Sequence, residues 1–300
     1  MSKTTDIPAS LTASFEELRR RYQEINDLAA AAAVLNWDQA TCMPEGGAEA
    51  RGRQCATLSR LAHTRATDPA LGKLLDDLAR ASESLDPDSD AACLVRVGRR
   101  DFEKAVRLPE AFVVRSSEAA SASYNAWTRA RPANDFKGLL PDLRRVLGLV
   151  RQVAEAKAAK LGLSPYDALL DEWEPGGRSA AIDVLFDDLA SFLPGFIAAA
   201  IEHQARLPAP LPIPGPFPVA QQLALAKRLM ATVGFDFDHG RLDTSAHPFC
   251  GGVPDDVRIT TRWNEADFTT GLMGVLHETG HAMYERGLPQ AWRYQPVGRA

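Results

Sequence analysis

Between positions 207 and 218 the chain reads LPAPLPIPGPFP, six prolines each separated by one other residue. Proline has no backbone N–H, and its ring collides with the preceding helical turn, so this stretch is neither helix nor central strand. It is a stiff, extended connector, serving as a boundary or as a crossing over the surface. The chain therefore reads in three parts: an N-terminal helical region over 1–206, the connector over 207–218, and a last region over 219–300.

The first part carries the period of helices. Phe15, Leu18, Tyr22, Ile25 and Leu28 form a stripe at helical spacing, which predicts a helix over 11–34. Positions 35–44 interrupt the pattern, and Pro44-Glu45-Gly46-Gly47 is a turn. Further helices are expected over 48–66, 69–84, 91–106 and 109–131, the last with Pro109 in its first turn. A long helix over 135–161 shows an apolar stripe of Leu139, Leu140, Leu143, Val146, Leu147 and Val150. A short helix over 165–173 and a long one over 178–206, kinked at Pro194, complete the region.

Composition narrows what such a chain does. Its 300 residues suffice for one large domain or two small ones, and 45% hydrophobic with 24% charged residues is the make-up of a soluble globular protein. A net charge of −5 leaves no basic excess to neutralise phosphates, which argues against a nucleic-acid partner. No apolar run in the sequence approaches the ~20 residues of a membrane span, and the N-terminus has no apolar core of the signal-peptide kind. Cys42, Cys55, Cys93 and Cys250 form no CxxC and read as reduced, mostly buried thiols of a cytoplasmic protein.

In the last part a helix is expected over 221–233. The β-branched, alternating segments 241–246 and 257–263 read as a small antiparallel pair, separated by the turn-rich 248–255. They lead into a helix over 268–286, capped by Asn264 or Asp267 and stopped by Gly287-Leu288-Pro289, with Gly287 as a left-handed cap. Inside it lies His277-Glu278-Thr279-Gly280-His281, an HExxH. On a helix His277 and His281 stand on one face, one turn apart, where two imidazoles can grip one metal ion. Glu278 then lies beside that ion rather than on it, as a base for attacking water requires. The same histidines could form an ordinary half-buried surface pair; the apolar flanks and the helical placement favour the metal. Gly271, Gly274, Thr279 and Gly280 are poor helix formers, so something is expected to pack close to this backbone.

Three further groups stand out. Asp256, Arg258 and Thr260 share one face of a strand, where they line a cleft or form a solvated polar face. His247-Pro248-Phe249 offers a catalytic histidine or a hydrogen-bonded one at a turn. Trp37-Asp38-Gln39 can be core packing and a helix cap.

In order and spacing, His247-Pro248-Phe249, Asp256-x-Arg258-x-Thr260 and His277-Glu278-Thr279-Gly280-His281-Ala282-Met283-Tyr284-Glu285 resemble the Taq-type metallocarboxypeptidases, the M32 family. Trp37-Asp38-Gln39-x-Thr41-x-Met43-Pro44 also looks like that family's N-terminal motif. The chain is similar to the family's N-terminal three-fifths. The resemblance implies a mainly α, multi-helix, cleft-type zincin (HExxH) fold with a very small antiparallel β-sheet beside the metal helix. It implies a homodimer that removes single residues from peptide C-termini, using zinc, which cobalt can replace. By position, His277 and His281 are metal ligands and Glu278 is the general base, while His247, Asp256, Arg258 and Thr260 fall on motifs lining the active site.

The resemblance also implies what is not here. The family's third ligand, a Glu on a following helix, lies in an HES-type motif, and only 19 residues follow His281, with Glu285 their sole acid. Segments like IRxxAD and GxxQDxHW are missing too. Ending at Gly298-Arg299-Ala300, the chain reads as cut in mid-domain, with the C-terminal part of the catalytic region absent. Two readings follow. One is a zinc carboxypeptidase of which these residues are a portion. The other is a non-catalytic peptide-binding or dimerisation subunit with an incomplete two-histidine site.

Overall fold

A computed structural model describes residues 7–211 and 213–298. The N-terminal Met1–Asp6, Pro212 of the connector and the terminal Arg299-Ala300 lie outside the described residues. The chain divides into two compact units, residues 1–146 with 216–300, and residues 147–215. This cuts across the division at the connector, because the last region and the N-terminal helices belong to one unit.

In the first unit helix α1 spans Thr12–Thr41, α2 Ala48–Ala66, α3 Pro69–Ala81, α4 Asp90–Ala105 and α5 Glu110–Ala130. Asp68 caps α3 by accepting from Ala70 N, and Ser89 caps α4 by accepting from Ala92 N. Pro109 stands just before α5, as its N-cap residue. Phe15, Leu18 and Tyr22 of α1 bury themselves against Leu71, Leu75 and Leu78 of α3 and Leu94 of α4. Trp292 joins this layer from the short turns after the last helix, with its Nε1 donating to Asp90 Oδ2 at 2.9 Å. The far end of the chain is thereby tied to the start.

Helix α1 does not stop at residue 34: it runs on to Thr41. The expected interruption over 35–44 shrinks to a turn at Pro44, because each residue of the Trp37 motif has a partner off the helix. Gln39 Nε2 donates to Ser121 Oγ and Asn125 Oδ1 on α5, at 3.1 and 3.0 Å. Asp38 pairs with Arg51 on α2 at 2.5 Å.

The rest of the first unit is α9 (Val219–Thr232), three strands and α10 (Phe268–Gly287). The strands are β1 Gly240–Thr244, β2 Phe249–Val253 and β3 Asp256–Thr261, in the order β1-β3-β2. The expected antiparallel pair is corrected. β1 and β3 are parallel, and β2, formed inside the segment read as turns, is antiparallel to β3. A third strand reverses the chain once more, so the first and last strands point the same way. Val257 and Ile259 of β3 pack with Ala226 and Met230 of α9 and with Val275 and Ala282 of α10 in a second core.

The second unit holds the end of α6 (Phe136–Leu161), α7 (Pro165–Trp173) and α8 (Ser179–Ala205). Ser164 caps α7, and Lys157 pairs with Glu172 at 2.8 Å. The stripe expected on α6 is not a core face: none of its members is buried, and Leu147 and Val150 are exposed. Helix α6 also carries Pro141, and α8 continues through Pro194. No residue of α8 is buried, and Val184, Phe186, Phe192, Phe196 and Ile201 are among its exposed side chains. By length and composition α8 is apolar enough to cross a membrane, which corrects the expectation that no such run exists. The cysteines need correction as well, since only Cys55 is buried and Cys42 is exposed.

Candidate active site

Helix α10 begins where the Asp267 carboxylate accepts from Thr269 N at 2.9 Å, so of the two expected caps Asp267 is the one used. It ends at Leu288-Pro289, with Gly287 still in the last turn and not in the left-handed region. Two glycines bring its backbone against the sheet. A Cβ on Gly271 would sit 3.0 Å from Arg262 O, and one on Gly274 would sit 3.2 Å from Thr261 Oγ1 and 3.7 Å from Pro248. Thr261 Oγ1 donates to Gly271 O across this contact at 3.2 Å. The expected close approach thus occurs at Gly271 and Gly274, whereas a Cβ on Gly280 would meet nothing within 4 Å.

One turn on from Gly274, His277 and His281 project together from an exposed face. Their Nε2 atoms are 3.2 Å apart and their rings are 84° from coplanar. Two nitrogens at that spacing, each about 2.05 Å from a common point, subtend about 100°, close to a tetrahedral angle. The pair therefore fits two positions of a zinc-like ion. Glu278, next along the helix, is only 8% exposed. It shares with His281 and Glu285 a cavity of about 500 Å³ whose other wall is β2. Among the described residues no group of three or more His, Cys, Asp or Glu converges to hold a metal, and Glu285 does not close the set.

Cys250 faces this cavity from β2. Burial first, and then the Glu278 and Glu285 carboxylates, push its thiol up to about 12. It therefore stays protonated near neutral pH. Cys250, Gly251 and Gly252 are wall residues that sequence reasoning missed, while Glu285, the one acid after His281, does reach the cavity wall. The signal for those three was continuity with His247-Pro248-Phe249, hidden because paired glycines read as a turn.

Asp256, Arg258 and Thr260 lie on the opposite face of β3 from α10, since alternate residues of a strand point opposite ways. Arg258 is held by Asp256 through Nε at 3.0 Å and Nη2 at 2.7 Å, and its guanidinium lies 4.3 Å from the centre of the Trp37 ring. Arg241 covers the same ring at 4.7 Å. Such stacking contributes about 0.5–2 kcal/mol each. Asp38 beside them is held below the usual carboxylate range, first by the Cys42 thiol and then by Arg51. Thr260 is fully buried; its hydroxyl is 2.7 Å from that of Ser245 and accepts from Phe249 N at 3.1 Å. His247 is exposed, with its ring edge-on to Trp127 at 6.5 Å and its carbonyl accepting from Ser245 Oγ at 2.6 Å. The structure thus brings Glu278 and His281 to one cavity with His277 beside it. It places the Asp256, Arg258 and Thr260 side chains behind the sheet, against α1.

The family model described as carboxypeptidase Taq (M32) metallopeptidase matches residues 17–300. The thermostable carboxypeptidase 1 of Thermus thermophilus is 40% identical over 297 residues, 96% of this chain and 58% of its own length. Carboxypeptidase 1 of Bacillus subtilis is 31% identical, over 92% of this chain and 54% of its own. The chain thus spans less than three-fifths of the length of these relatives. Among solved structures, Trypanosoma cruzi metallocarboxypeptidase 1 superposes with a TM-score of 0.84 at 37% identity, covering 96% of this chain and 57% of that one. The M32 carboxypeptidase of Deinococcus radiodurans R1 gives 0.79 at 39% identity, over 95% and 56%. By the family-model match over most of its length and by its 40% identity to a curated member, the chain belongs to the carboxypeptidase Taq (M32) metallopeptidase family.

Proposed function

We propose that these residues are part of a zinc-dependent carboxypeptidase that releases single amino acids from peptide C-termini. The observation that carries the reading is the pair of imidazole nitrogens 3.2 Å apart on one helical turn, with the Glu278 carboxylate lining the adjoining cavity. His277 and His281 are the residues that would hold the ion, zinc or cobalt in its place. When bound, the ion supplies Lewis-acid polarisation of the scissile carbonyl and acidifies water. Glu278 orients the attacking water, takes its proton at a carboxylate oxygen and returns a proton to the leaving amine. Its burial limits competing solvent and strengthens that exchange. His247, Asp256, Arg258 and Thr260 act in this reading through the walls: they fix β2 and β3, on which the cavity rests.

A cytoplasmic homodimer with peptides as substrates completes the proposal, without nucleic-acid or membrane partners. The net charge of −5 supports the former exclusion. Asp183, Asp187 and Asp188, which interrupt the apolar first half of α8, support the latter. A second reading, the non-catalytic peptide-binding or dimerisation subunit, is favoured by the two-donor set among the described residues.

Zinc per chain after exhaustive dialysis into metal-free buffer separates the two, together with release of the last residue from N-blocked dipeptides. About one zinc per chain and release of single residues are expected. Metal lost on dialysis, with no release at any zinc concentration, would show that these 300 residues by themselves form an unfinished site, which the second reading then describes.

A further inference from the structure

The cavity beside the two histidines holds more negative charge than the proposed chemistry uses. Its α10 side is Glu278, His281 and Glu285, its other side is β2 with Val257 of β3, and no Lys or Arg lines it among the described residues. Seven residues, or two turns, separate Glu278 from Glu285, so both carboxylates stand on one face of α10, about 10 Å apart along its axis. Glu278 is only 8% exposed. No hydrogen bond or ion pair joins either carboxylate to a described residue, and neither is sealed in: both open onto the cavity.

The cations nearby are engaged elsewhere. Arg286 pairs with Asp236 at 3.3 Å and with Asp255 at 3.5 Å, and Arg293 with Asp255 at 2.6 Å. Arg258 is held by Asp256 on the α1 face of β3. Glu285 also lies in the last turn of α10, which ends at Gly287. Free carbonyls at a helix C-terminus favour a positive charge, so a carboxylate there adds to the local negative field and draws a cation from outside. In the proposed function Glu278 works on water beside His277 and His281. Glu285, one turn past His281, keeps a charge without a counter-ion or a task.

The opposite wall says what kind of cation fits. It carries Val253, Val257 and the Cys250 side chain. A bare metal ion gains nothing from such a surface, and among the described residues no three His, Cys, Asp or Glu converge to hold one. A lysine or arginine side chain suits both parts: its methylenes lie along the valines and its head meets the carboxylate.

We propose that Glu285 is a specificity residue, which receives the cationic head of a Lys or Arg side chain adjoining the scissile bond of the peptide. The inference rests on the proposed carboxypeptidase reading and deepens it by naming a substrate class. Glu285 lines the same cavity as Glu278 and His281, so a peptide held beside those two has its neighbouring side chain in reach of it.

The test uses N-blocked dipeptides with Arg, its uncharged analogue citrulline, or Glu at either of the two positions and Ala at the other. Their kcat/KM is measured for the parent chain, for Glu285→Gln, which keeps the shape and removes the charge, and for Glu285→Lys, which reverses it. At one of the two positions the parent is expected to favour Arg over citrulline at least tenfold. Glu285→Gln is expected to bring that ratio below threefold, and Glu285→Lys to favour Glu over Arg there. Because each ratio is taken within one enzyme, a general loss of activity does not imitate it. An Arg preference under tenfold in the parent overturns the proposal, and so does one that persists in Glu285→Gln. If the parent releases nothing, these 300 residues do not by themselves carry the carboxypeptidase reading, and equilibrium binding decides the role of Glu285. Titration calorimetry of the zinc-loaded chain then supports it if the parent binds the Arg peptide at least tenfold more tightly than the citrulline peptide and Glu285→Gln does not, and overturns it otherwise.

Discussion

The two faces of the three-stranded sheet use one strand in opposite ways. Toward α10, β3 presents Val257 and Ile259, both essentially fully buried, to an apolar layer that includes Val275 and Ala282. Toward α1 it presents Asp256, Arg258 and Thr260, and its neighbour there is an aromatic ring under two guanidinium groups. The first face fixes the depth of α10 by close packing and by glycine. The second fixes the far end of α1 by charge, stacking and hydrogen bonds. The difference teaches that two faces of one strand can hold their neighbours by unlike means: Arg258 and its face meet α1 through polar contacts, and the other face meets α10 through close packing.

The largest expected effect separates chemistry from support. Glu278→Gln keeps the shape of the cavity and removes the base, so turnover should fall by about 10²–10⁴ with zinc content unchanged. Near-normal turnover in that variant would take Glu278 out of its role. Next comes Ile259→Ala, on the α10 face, which should cost about 2–5 kcal/mol in urea unfolding, because the cavity left behind cannot collapse against two helices and a sheet. Arg258→Met, on the α1 face, should cost less, about 1–2 kcal/mol, since the methionine stem still packs on Trp37 while the cation is lost. Equal costs for the two variants would show that the faces do not differ in kind. The smallest effect is kinetic. With its thiol pushed up to about 12, Cys250 should react with a thiol reagent at pH 8 at least tenfold more slowly than exposed Cys42. The sign follows from the shift: the reactive thiolate of Cys250 becomes abundant only as pH approaches 12. Fast labelling of Cys250 would mean that the cavity wall opens in solution.

Local patterns made much of this visible beforehand. The helix over Ala48–Ala66 and the short one over Pro165–Trp173 follow from periodicity and flanking breakers, and so does the capped helix that carries His277, Glu278 and His281. Long-range partners hid the rest. Residues 35–41 stay helical because Asp38 finds Arg51 on the next helix and Gln39 finds Ser121 and Asn125, 82 and 86 residues away. β2 escaped notice because Gly251 and Gly252 have no strand preference of their own and are held by β3. Missing that strand also inverted the direction of the β1–β3 pairing. Apolar content misled on α6 and α8, where periodicity named a stripe or a run but not a partner to cover it.

The hydroxyl of Thr260 has a consequence for how the chain reaches this arrangement. A slip of β3 by one residue would carry Arg258 into the apolar layer beneath α10 and turn Val257 toward Trp37. It would also pull Thr260 away from Ser245 and from Phe249 N, leaving buried hydrogen-bonding groups without mates. A misaligned sheet is thus penalised on both faces at once, and the hydrogen-bond part of that penalty falls within a segment running only from residue 245 to residue 260.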